Sequence, residues 1–137
     1  MVKTIDISGR AYNAYRNAGH SHMEAIEHCV KELVTELDKA GCFWVTNVAT
    51  DRDIITVSAS SPYAFPGESK PSSIWCSVIA LNETDKDYCK LRESGLSEAE
   101  VRDELLNAAE ADASYFGTIK AWHIAYVPGC AVVFASV

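Results

Sequence analysis

Apolar residues recur along the chain with two periods, and the switch between them separates helices from strands. After Ser21, the residues Ile26, Val30, Leu33 and Leu37 stand four, three and four positions apart, with Cys29 and Val34 beside them. That spacing lines one stripe of an α-helix. Ser21-His22-Met23-Glu24 reads as a capping box that opens this helix, and Gly41 is its natural stop. A second capping box, Ser97-Glu98-Ala99-Glu100, opens a helix carrying Val101, Leu105, Ala108 and Ala109 and ending before Gly117. A shorter helix is expected from about Arg10 to Ala18, closed by Gly19, and a weaker helical turn over Asp85 to Arg92.

Elsewhere the apolar residues come in short runs bounded by turn residues, the mark of strands. Phe43 to Ala49 and Ile54 to Ser60 flank a hairpin loop, Thr50-Asp51-Arg52-Asp53. Ile74 to Leu81 forms a third strand. Thr118 to Val127 and Ala131 to Val137 flank a Pro128-Gly129 turn. The order ααβββ(α)αββ predicts an α+β domain with a mostly antiparallel sheet of about five strands. Both long helices are expected on one face. No internal repeat and no domain boundary shows, so residues 1–137 read as a single domain.

Alternation within the strands predicts which face the helices cover. Ile119, Ala121, His123 and Ala125, grouped with Ala131, Val133 and Ala135, make a small-residue face suited to close helix packing. That grouping leaves Trp75, Ile79, Trp122, Tyr126 and Phe134 on the far side. Such a face wants cover, and a contiguous apolar patch of this kind marks an interaction site. Loop 61–73 adds Tyr63 and Phe65 and is stiffened by three prolines. Together with Arg52, the residues Tyr63, Phe65, Trp75, Trp122, Tyr126 and Phe134 form the expected ligand or oligomer surface, and a homodimer is expected.

Charge changes the picture of partners. Nineteen acids against twelve bases leave −7, which disfavours phosphate-bearing nucleic acid. Much of the excess lies on the second long helix, where Glu98, Glu100, Asp103, Glu104 and Glu110 offer a docking face for a protein partner. No apolar segment is long enough to span a membrane. Met1 to Asp6 lacks the apolar stretch of a secretion signal. Five cysteines without a Cys-x-x-Cys spacing suggest reduced thiols in the cytoplasm and no structural zinc.

Candidate chemistry is sparse. His20, His22 and His28 cluster near a helix start, but their spacing does not suit a metal site. His123 sits among strand alanines, where it is expected to be a neutral core residue. No nucleophile elbow, phosphate loop or dinucleotide fingerprint occurs. Neither a cofactor, a metal nor a catalytic set is assigned. The reading that follows is a non-catalytic binding protein that self-associates and acts by occupying or inhibiting a macromolecular partner. Small-ligand binding of a nucleotide type, with Arg52 or Arg16 on phosphate and rings stacking, is the alternative. A small hydrolase using histidine is the second.

Overall fold

Six strands and four helices alternate as β1 (Val2–Asp6), α1 (Arg10–Asn17), α2 (His22–Lys39), β2 (Trp44–Asp51), β3 (Ile54–Ser60), β4 (Ile74–Ala80), α3 (Lys86–Glu93), α4 (Glu98–Ser114), β5 (Ala121–Val127) and β6 (Cys130–Ser136). The computed structural model describes all residues from 1 to 137. The α+β class and antiparallel pairing are as expected. The single five-stranded sheet is instead two three-stranded sheets, ordered β1-β3-β2 and β4-β6-β5. The additional strand is β1, whose Val2-Lys3-Thr4-Ile5-Asp6 turns Ile5 inward and leaves Val2 exposed. One buried position in five gives no readable alternation. No helix is long and apolar enough to cross a membrane.

Local chemistry explains the helix starts. The Ser21 side chain accepts from the Glu24 amide, and Glu24 returns to the Ser21 amide at 3.0 Å. Ser97 and Glu100 repeat the arrangement. These bonds hold both glutamates below their ordinary pKa of 4.5, the backbone amide being the largest cause. A depressed carboxylate pKa stabilises the fold above its unfolded value, and that stability is lost as pH falls through the folded one. Ser21→Ala and Ser97→Ala are each expected to cost about 1 kcal/mol at neutral pH. Urea unfolding should show this difference shrinking well below pH 4.5.

The chain contains a structural duplication that the sequence conceals. Each half runs β-α-α-β-β, and in each half the third strand lies between the other two. A constant offset of 76 residues relates Ser21 to Ser97, Gly19 to Gly95, and Gly41 to Gly117. The same offset carries α1 onto α3 and β3 onto β6. Hydrogen bonds repeat with it. Arg16 Nη1 donates to the His20 carbonyl and Arg92 Nη1 to the Leu96 carbonyl, each at 3.0 Å. Asp6 accepts from the Ser8 amide as Asn82 does from the Thr84 amide. Gly19 and Gly95 adopt φ of 98° and 99°, left-handed values that glycine reaches without strain. In the first strand the register slips by two residues, Ile5 facing Ile55 but Ile79 facing Ala131. A two-residue slip leaves every side chain on its original face.

The helices cover opposite faces of the second sheet, which corrects the expectation of one shared face. Val127 pairs with Cys130 across the two-residue turn, so odd residues of β5 stand beside even residues of β6. His123 therefore neighbours Phe134, and Trp122 neighbours Ala135. Helix α2 packs on the face bearing Val78, Ala125, Val132 and Phe134. It also packs on the Ile5, Ile55 and Val57 face of the first sheet, so it sits in a core shared by both halves. Helix α4 covers the other face of the second sheet, where Ala113 meets Ala135 and Val137, with Trp75 and Trp122 packed alongside. The sheets are joined where β2 runs by β5. The Val45 amide donates to Ser136 Oγ at 2.9 Å, and the Val45 carbonyl accepts from His123 Nε2 at 3.1 Å.

Candidate interaction surface

The histidines are occupied by structure. His123 spends its Nε2 on the Val45 carbonyl. His22 Nε2 donates to the Pro128 carbonyl at 2.9 Å, since a carbonyl can only accept. Its Nδ1 is hydrogen-bonded to the Tyr12 hydroxyl, 2.6 Å away. His28 stacks on Tyr15 with ring centroids 4.5 Å apart, and His20 meets His28 edge-on. The Tyr15 hydroxyl donates to Glu32, which raises its pKa. These contacts fasten α1 to α2, and α2 to the β5–β6 turn. Burial raises the thiol pKa of Cys29, Cys76 and Cys130, which makes them poor nucleophiles.

The proposed nucleotide components are not brought together. Arg52 caps the β2–β3 hairpin, where it adopts a φ of 55°. Tyr63 and Phe65 follow the far end of β3, one strand length away. Arg16 is held on the His20 carbonyl. Phe134, expected on the exposed aromatic surface, is instead wholly buried beneath α2. The cause is the turn register, which puts it on the opposite face from Trp122. Trp75 and Trp122 do share a face; they stack with centroids 6.5 Å apart and are half covered by the end of α4. Tyr126 is exposed beside α4, with the Arg102 guanidinium over its ring at 5.7 Å.

The acidic residues lie where the sequence put them. Glu98, Glu100, Asp103, Glu104 and Glu110 are all exposed on α4. This helix buries only Val101, Ala109 and Ala113, whereas α2 buries seven residues along its length. Helix α4 is thus a peripheral helix that turns most of its surface outward.

One end of the molecule gathers rings. There β2, β4 and β5 begin, β3 and β6 end, and the Val45–Ser136 bond ties the sheets together. Loop 61–73 crosses this end, stitched to the C-terminus by the Ser72 amide on the Val137 carbonyl at 2.8 Å. Phe65 packs edge-on against Trp44, and a methyl group at Gly67 would collide with its ring. Tyr63 stands 88% exposed, with Lys70 Nζ over it at 4.6 Å. Two further rings, absent from the sequence-derived surface, stand here: Tyr115 is 94% exposed and Phe116 71%. They form the C-terminal cap of α4, beyond its last buried residue, Ala113. Their signal in the sequence is a pair of aromatics outside the apolar stripe and directly before the stop glycine.

Comparison of the chain with family models, with curated proteins and with solved structures finds no match in any of the three.

Proposed function

We propose that the chain is a non-catalytic binding protein that occupies a macromolecular partner through its aromatic end, and that pairs with a second copy there when the partner is absent. The observation that carries this reading is the exposure of Tyr63, Tyr115 and Phe116 at the end where Trp75 and Trp122 are already half open. Burying one large apolar side chain is worth about 1.5–3 kcal/mol. Three left in water at one end represent binding energy the fold does not use itself. Tyrosine and phenylalanine also supply contact area with little side-chain entropy to lose. The acidic face of α4 runs up to the same end and adds steering. A cytoplasmic setting fits five unpaired thiols, three of them buried.

Light scattering coupled to size exclusion tests this from micromolar to millimolar protein. The expected result is a mass that rises with concentration toward a dimer, and a variant carrying Tyr63→Ser, Tyr115→Ser and Phe116→Ser that stays monomeric. All three side chains are exposed, so the variant should melt within a few degrees of the parent. Equal masses for parent and variant across the range would remove the reading.

A further inference from the structure

We propose that Tyr115 and Phe116 form a seat for a cationic segment of a partner protein, with an arginine or lysine side chain laid against the rings. This rests on the reading of the aromatic end as a binding surface, and it names what that surface takes.

The duplication supplies an internal control. The positions 76 residues earlier are Lys39 and Ala40, which close α2 with the same stop glycine. The backbone therefore needs no aromatic residue at this cap. A lysine there is the favourable choice, because the C-terminal carbonyls of a helix carry partial negative charge. Helix α4 has no basic residue in its last turn and carries Glu110 and Asp112 near its end. The rings thus follow two carboxylates and the negative end of the helix, with no base in that last turn; Lys120 is the next base along the chain, and Lys70 is already engaged over Tyr63.

The other exposed tyrosines show what such rings hold. Tyr63 lies under Lys70 and Tyr126 under Arg102. Tyr115 is the most exposed of the three and has no cation over it. A cation placed over an aromatic face gains from the ring quadrupole, and the nearby carboxylates add to the attraction. With a net charge of −7, the chain repels nucleic-acid phosphates and anionic lipid headgroups. A basic protein segment is the cation source that remains compatible with this field.

The probe is a fluorescein-labelled peptide of alternating arginine and leucine, titrated with the full chain and followed by anisotropy. A glutamate–leucine peptide of equal length serves as its counterpart. Expected are saturable binding of the arginine peptide, no binding of the acidic one, and about tenfold weaker binding by the Tyr115→Ser/Phe116→Ser variant. Asp112→Lys, which keeps both rings, should also weaken binding. Circular dichroism and melting confirm that each variant is folded. Equal affinity of the ring variant and the parent for the arginine peptide overturns the proposal. If the parent self-associates through its rings but ignores the peptide, the cationic occupant is wrong and the binding surface stands. If it does neither, both readings fall.

Discussion

Phe134→Ala should lower stability by about 3–5 kcal/mol, the range for emptying a fully enclosed aromatic site. Phe134 is wholly excluded from solvent in the middle strand of its sheet, between Cys76 and His123, with α2 packed above. Neighbouring side chains come from both halves of the chain, so they cannot collapse independently into the space. A domain of this size has about 5–15 kcal/mol in total, so the variant should melt about 10 °C or more below the parent. The equivalent residue in the first half is Ser58, half exposed on the open face of β3. Ser58→Ala should move stability by no more than about 0.5 kcal/mol. Urea unfolding of both variants makes the comparison. A Phe134→Ala loss as small as that of Ser58→Ala would mean that α2 does not seal the second sheet.

The second large effect comes from another equivalent pair, Ser60 and Ser136, of which only Ser136 should lose stability when truncated. Ser136 is fully buried and its hydroxyl accepts from the Val45 amide, one of two bonds that join the sheets. Ser136→Ala strands a buried backbone N–H, at a cost of about 1–3 kcal/mol. Ser60 Oγ is also buried but has no hydrogen-bond partner. Ser60→Ala removes an unsatisfied polar atom and is expected to be neutral or slightly stabilising. Equilibrium unfolding gives the two values, and hydrogen exchange at the Val45 amide should quicken only in Ser136→Ala. Equal losses for both serines would refute the seam described above.

The helices were legible because their ends are written in local chemistry. Ser21 with Glu24, Ser97 with Glu100, and the glycines at 19, 41 and 117 act within a few residues of themselves. The duplication was not legible for the same reason. Its recurrent residues are mostly these caps and stops, while the strands between them have diverged, Thr56 standing where the other half has Val132. Phe134 was misplaced because alternation assigns faces within a strand, whereas pairing between strands depends on turn length. The residues expected to share a surface are only partly neighbours in the fold. Tyr63, Phe65, Trp75 and Trp122 do converge on one end, but Tyr115 and Phe116 were absorbed into the tail of a helix. Only the position of Ala113 against Val137 shows that the helix has left its support before them.

The outer face of the first sheet has a consequence for growth. Its counterpart in the second half, bearing Val132 and Phe134, is roofed by α2 from the preceding half. Repeating that step outward would let a helix from another molecule roof β3, then another roof the next, without end. Thr56, Ser58 and Asn47 occupy the sites that hold Val132, Phe134 and His123 in the roofed copy. Hydroxyls and an amide that water already satisfies offer an incoming helix little at these three sites, and the large apolar residues exposed on that face, Val2 and Ile54, stand at the edge strand and at the hairpin end, away from its centre.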